Sequence, residues 1–250
     1  MLANIEHKQQ NFTVNFNQPI DISIAMHSGN QNPNAFGIQA PLFEPFKAGG
    51  FVGSVALGGS VNCENLFINA HGNGTHTECV GHISKERITI NQVLTEFMFL
   101  AQVITVTPQH INGNNIVMLS DVEPFINPLV EALVIRTLPN TTDKLTAVYS
   151  GNNPAYLQPE LCTFLRETGV KHLIIDLPSV DREEDGGALE AHHAFWNYPA
   201  APRMDATITE MAFINDTVLD DMYLLNLQIA SLQTDASPSK PILYKIAHVL

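Results

Sequence analysis

The chain has 250 residues, 45% hydrophobic and 15% charged, a balance that suits a globular protein with a sizeable core. Its formal net charge of -13 argues against nucleic acid and against anionic membrane surfaces, because both need Lys and Arg to meet phosphates. Cys63, Cys79 and Cys162 show no Cys-x-x-Cys spacing, which points to reduced thiols in a cytoplasmic protein.

Met1 to Gln10 holds one lysine, Lys8, and no apolar stretch, so no signal peptide is expected. No run of eighteen apolar residues predicts a transmembrane helix. A short strand is expected around Phe12 to Phe16, and the alternation from Pro19 to Ile24 predicts another. His27 to Gly50 is rich in Asn, Pro and Gly and carries Phe36, Phe43 and Phe46. It reads as a long loop, either a binding lid or a surface excursion. Phe51 to Leu57 and Val61 to Ile68 read as two strands of a hairpin joined by Gly58-Gly59-Ser60.

The next stretch organises the chain. Asn69 to His82 packs His71, His76, Glu78 and His82 among Gly72, Gly74 and Gly81. Imidazole and carboxylate are the usual ligands of a borderline divalent cation. His76 and Glu78 are two residues apart, so on an extended backbone they leave from one face. Cys79, inside this segment, reads as a small packing residue.

Downstream, Ile90 to Met98 suits a short helix and Leu100 to Thr107 a buried strand ending at Pro108. Asn112 to Asn115 is a turn, and Ser120 or Asp121 is the expected cap of a short helix. Ala132 to Thr137 is a second buried strand. Pro159 to Thr168 reads as a helix, with Pro159 in its first turn and Gly169 just beyond it. Val170 to Asp176 is the strongest strand signal, and strand–helix–strand order implies a parallel crossover. His172 within it reads as a core or edge residue. Asp181 to Gly187 reads as a solvated acidic turn. His192 and His193 follow; adjacent helical residues point about 100° apart, so one ion would take only one of them. Ala206 to Met211, Tyr223 to Ile229 and Ile242 to Ile246 are further strands.

The central segment resembles the pattern His-x-Gly-Thr-His-x-Asp-x-Pro-x-His of bacterial metal-dependent kynurenine formamidases and of the putative cyclase family around them. Gly74-Thr75-His76-x-Glu78-x-Val80-x-His82 matches in register. Glu78 replaces Asp, Val80 replaces Pro, and Gly72 stands where the first His belongs, with His71 one residue early. A one-residue slip on a strand turns a side chain to the other face, so His71 is a ligand only if a bulge or Gly72 re-aims it. The resemblance continues in Arg136-Thr137, in Asp176 to Asp181, in Asp235-Ala236-Ser237-Pro238 and in Ala206 to Met211, whose Glu210 stands at a ligand position. Registering Phe195-Trp196 on the family's His-x-x-Leu-Leu selects His192, with His193 the alternative.

The resemblance implies an α/β fold of the swivelling β/β/α type, one domain over 1–250 with a mixed, partly barrel-like sheet and flanking helices. It implies a homodimer or larger assembly and a small-molecule substrate. The implied activity is metal-dependent hydrolysis of an amide-type C–N bond in an N-formylkynurenine-like formamide or a cyclic amide. His76, Glu78, His192 and Glu210 would hold one or two ions of Zn or Mn, and His82 would handle the proton. A lactonase or cyclase, or a metal- or ligand-binding protein without catalysis, are the alternatives. No nucleophile elbow, phosphate loop or dinucleotide fingerprint competes.

Overall fold

The computed structural model describes residues 1–248, and the last two residues of the expected 1–250 domain lie outside the described residues. Seven strands close on themselves. In sheet order they are Ala236–His248, Met222–Ile229, Met98–Val106, Ala132–Thr137, His172–Ile175, Thr207–Glu210 and His76–Cys79, which pairs back with the first. The four strands from Met98–Val106 to Thr207–Glu210 run parallel, and the other pairings are antiparallel. The sheet is therefore mixed and barrel-like, as expected.

The parallel strands are near-continuous apolar runs because both of their faces are covered. All six residues of Ala132–Thr137 are buried. Alternate residues divide between two cores. Ala101, Val103, Ala132, Val134, Ile174, Tyr223 and Leu225 pack inside the barrel. Ile104, Leu133, Ile135, Leu173 and Ile208 face outward, against Leu161 and Leu165 of one helix and Phe195 and Trp196 of another. These helices are Pro159–Glu167 and Glu190–Trp196. The first starts on its proline and stops before Gly169, whose φ of 88° is a left-handed conformation that suits glycine.

Three expectations are corrected. Phe51 to Leu57 does not pair with Val61 to Ile68. Phe51–Val52 pairs with Lys47–Ala48, and Glu64–Phe67 pairs with Leu42–Pro45. The hairpin therefore turns at Gly49-Gly50, both at positive φ, inside the stretch read as a structureless loop. Gly58, at φ 88°, instead ends a single 3-10 turn over Val55–Leu57. Second, the helix expected over Ile90 to Met98 is one turn, Ile90–Val93, because Met98 already belongs to the barrel. Third, Ser120 caps nothing. The Asp121 carboxylate accepts the Met118 N–H at 2.8 Å and closes a 3-10 turn over Leu119–Asp121. The short strand expected around Phe12 to Phe16 is Gln10–Asn15; it pairs with Leu2–His7, a strand the sequence reading did not expect, and this hairpin extends the sheet beyond the final strand.

Candidate metal centre

His76–Cys79 is a strand with neighbours on both edges. Glu210 lies opposite His76 on one side, and Ala236 lies opposite Glu78 on the other. The two-residue alternation puts His76 and Glu78 on the outward face, and the cross-strand pairing adds Glu210 to that face. On the inward face Thr77 and Thr209 share a hydrogen bond of 2.7 Å. The helix Glu190–Trp196 lies over the outward face and brings His192 in. The structure thus gathers His76, Glu78, His192 and Glu210, all four buried.

The distances define a small, highly polar centre. His192 Nε2 lies 3.0 Å from Glu78 Oε1 and 3.9 Å from Glu210 Oε1. His76 Nε2 lies 3.4 Å from Glu210 Oε2. Each buried imidazole is held from behind. His76 Nδ1 meets the Gly74 carbonyl at 3.0 Å, and that oxygen can only accept, so Nδ1 carries the proton and Nε2 presents a lone pair. His192 Nδ1 meets Asp181 at 2.5 Å. The other Asp181 oxygen accepts the Ala191 N–H at 2.7 Å, which seats the start of the helix on the same carboxylate. Glu210 Oε1 accepts the Val180 N–H at 3.0 Å.

Two buried atoms at the centre, His76 Nε2 and Glu78 Oε2, make no well-aligned hydrogen bond, although His71 Nδ1 comes within 3.1 Å of the latter. A buried polar atom left unpaired costs about 1–3 kcal/mol. A lone pair aimed at a carboxylate oxygen, as at His76, is repulsive unless a positive charge lies between them. Imidazole lone pairs and carboxylate oxygens are the donor set of a divalent transition metal, so these residues fit one.

The electrostatics agree. Burial raises the Glu78 carboxyl, but the facing His82, His192 and His71 outweigh it and hold that carboxyl well below its ordinary range. Burial disfavours charged His192, yet Asp181, Glu78 and Glu210 lift it to about 10. Burial pushes the Cys79 thiol up to about 12, so it packs rather than attacks.

His71 and His82 stand at the mouth. His71 is not on a strand: Ala70–Asn73 forms one helical turn, which absorbs the one-residue slip and aims Nδ1 at Glu78 Oε2, 3.1 Å away. Position 72 is crowded for a larger residue, since a Cβ there would meet Ile38 Cδ1 at 2.5 Å and the Ala35 carbonyl at 3.0 Å, and both would have to shift. His82 ends a 3-10 turn over Val80–His82 with Nδ1 3.8 Å from Glu78 Oε2, and its side chain is 30% exposed. His193 turns away and meets the Tyr198 carbonyl at 3.1 Å. His172 packs inside the barrel against Phe99.

Two site residues escaped the sequence reading. Asp181, taken for part of a solvated turn, is buried behind His192. Asp235 lies 2.9 Å from His71 and 3.3 Å from His82, although Asp235 and His82 are distant in sequence. The first half of the expected 27–50 loop is not a free lid. Asn32 and Ala35 are buried, and the Ala35 N–H donates to the Gly72 carbonyl at 3.1 Å.

The model of a family described as putative cyclase matches residues 18–182. A kynurenine formamidase of Bacillus cereus is 25% identical over 234 residues, covering 93% of this chain and 97% of the relative. Among solved structures, a predicted metal-dependent hydrolase from Bacillus stearothermophilus superposes with a TM-score of 0.65 at 15% identity, over 91% of this chain and 98% of the other. Isatin hydrolase A from Ralstonia solanacearum superposes with a TM-score of 0.68 at 11% identity, over 91% of each chain. At such identities the two structures establish the shared fold.

Proposed function

The chain belongs to the putative cyclase family, and from that premise we propose that it is a metal-dependent hydrolase of an amide-type C–N bond. The observation that carries this reading is the pair of buried ligand atoms without a well-aligned hydrogen bond, His76 Nε2 and Glu78 Oε2, in a pocket of imidazoles and carboxylates. His76, Glu78, His192 and Glu210 would hold the metal. Glu78 directs Oε1 to His192 and Oε2 to His71, so His71 would add a further ligand atom and the residues present could hold one or two ions. Zn or Mn suits the mixed nitrogen and oxygen donors. Such an ion lowers the pKa of bound water from about 15.7 towards ~7 and polarises a carbonyl.

The residues supply the rest. Asp181 and the Gly74 carbonyl hold Nδ1 of His192 and of His76, so each would offer Nε2 to an ion, with His192 giving up the proton that its Nε2 otherwise donates to Glu78. Glu210 is kept in place by the Val180 N–H. His82, partly exposed beside the buried cluster, would take a proton from the attacking water and return it to the leaving nitrogen.

The substrate we propose is a formamide or cyclic amide on an aromatic ring. The support is the kynurenine formamidase relative, with the isatin hydrolase fold as a guide to the second class. We also propose a cytoplasmic setting, from the free cysteines; among the described residues no helix is long and apolar enough to cross a membrane. A homodimer or larger assembly would find its contact surface in residues 42–67, where Leu57, Leu66 and Phe67 are each more than half exposed. Light scattering on wild type and Leu66→Glu tests this, and a monomeric wild type at tens of micromolar would refute it.

The activity test is hydrolysis of N-formylkynurenine and of isatin by wild type and His82→Ala, with metal content measured on both. The reading expects turnover of at least one class, and loss of roughly 10²–10⁴-fold in a variant that keeps its metal. No hydrolysis of either class by metal-loaded wild type would sink it.

A further inference from the structure

We infer that Asp235 is the positioning residue that makes His71 a ligand of the buried centre; this rests on the metal-dependent reading above. Three imidazoles around Glu78 share one arrangement, a rear nitrogen held by an acceptor oxygen and a front nitrogen facing inward. For His76 the acceptor is the Gly74 carbonyl, and for His192 it is Asp181. For His71 it is Asp235: Nε2 lies 2.9 Å from Asp235 Oδ2, while Nδ1 lies 3.1 Å from Glu78 Oε2.

His71 needs such support more than the other two. His76 and His192 are wedged into a core, whereas the His71 side chain is 22% exposed and sits on a single helical turn. Packing alone leaves its ring more freedom, and a hydrogen bond to a fixed acceptor removes it. Asp235 is fixed by the barrel itself. Its backbone carbonyl accepts the Cys79 N–H at 3.0 Å, and the next residue, Ala236, pairs with Glu78. The closure of the barrel therefore delivers a carboxylate behind the displaced histidine.

The same oxygen reaches further. Asp235 Oδ2 lies 3.3 Å from His82 Nδ1, and the rings of His71 and His82 stack with centroids 4.4 Å apart. A carboxylate only accepts, so both rings donate to it. This leaves Nδ1 of His71 for the metal side and Nε2 of His82 for the substrate side. One carboxylate thus orients a ligand and the proton-handling imidazole together.

The test is calorimetric titration of metal-free protein with Zn²⁺ alone, on wild type, Asp235→Leu, Asp235→Asn, His71→Ala and the double variant Asp235→Leu/His71→Ala. Loss of an outer hydrogen-bond partner of a metal ligand costs roughly 10–100-fold in metal affinity. Asp235→Leu is expected to show that loss, His71→Ala at least as much, and the double variant no more than His71→Ala, because both act through one ring. Asp235→Asn keeps an acceptor oxygen and is expected to lose less than Asp235→Leu. Wild-type affinity in Asp235→Leu, or full additivity with His71→Ala, overturns the inference and leaves the metal-dependent reading standing. No Zn²⁺ binding by wild type overturns both. If Asp235→Leu does not fold, the cycle of Asp235→Asn with His71→Ala carries the same decision, joined to nitrogen-15 spectra of the histidine rings. Unchanged His71 and His82 ring signals in Asp235→Asn would overturn the assignment.

Discussion

Leu66-Phe67-Ile68 and His76-Thr77-Glu78-Cys79 are a few residues apart and lie at opposite extremes of burial. The apolar triplet is 59%, 56% and 38% exposed, whereas all four residues of the polar strand are 0% exposed. Side-chain hydropathy alone would order them the other way. The difference lies in what surrounds each strand. His76–Cys79 has a strand on both edges and a helix over its outward face. Glu64–Phe67 pairs with one short strand, Leu42–Pro45, and all four of its residues are exposed. Barrel closure, rather than hydrophobicity, sets burial here. It forces ionisable groups into a place where they need a partner or a cation.

The sharpest way to break this comparison is to truncate one apolar side chain on each side of it. Leu133→Ala, fully buried between the barrel and its helices, is expected to cost about 2–5 kcal/mol in urea unfolding. Leu66→Ala should stay within about 0.5 kcal/mol of wild type. Equal losses would contradict the account. A smaller effect is expected at the Ala70–Asn73 turn, where the chain enters the centre. Gly72→His puts the family's residue at its usual position, but its Cβ meets Ile38 and the Ala35 carbonyl, so a loss of about 1–3 kcal/mol is expected. A variant as stable as wild type would show that the 70–73 turn can be rebuilt.

The gentlest probe is pH. Burial inside the barrel holds His172 down to about 3, helped by Lys171 and Arg203. The unfolded chain takes up that proton near pH 6.5 and the native chain does not. Stability from this residue is therefore full above about pH 6.5 and falls as pH drops towards 3. His172→Gln, which can keep a bond to Thr207, is expected to flatten the fall of the urea midpoint between pH 6.5 and 4. A slope unchanged from wild type would place the acid sensitivity elsewhere.

Much of the barrel was legible because its strands are buried on both faces and read as apolar runs. Ala132–Thr137 matches its expected bounds. The helix at Pro159–Glu167 was legible through its punctuation, proline before and glycine after. What escaped depends on partners far away in sequence. The Gly49-Gly50 turn hid in a segment whose Asn, Pro and Gly content looks like loop, and Gly58-Gly59 offered an equally good turn signal in the wrong place. In the centre, alternation sufficed to put His76 and Glu78 on one face, while helical geometry said only that one of His192 and His193 faces it, and the family resemblance selected His192. The His71 puzzle arose from assuming extended backbone where the chain makes a helical turn. Asp181 looked like one charge among several on a surface loop. Asp235 reaches the centre only through the pairing of Ala236 with Glu78, which no local pattern reveals.

The most direct test of the central claim is the metal content per chain of protein purified without added metal or chelator, on wild type and on Glu210→Ala. The account predicts near-stoichiometric Zn or Mn in wild type and a clear drop in the variant, with the fold retained by circular dichroism. Absence of metal from wild type, even after incubation with Zn²⁺ and Mn²⁺, would contradict it.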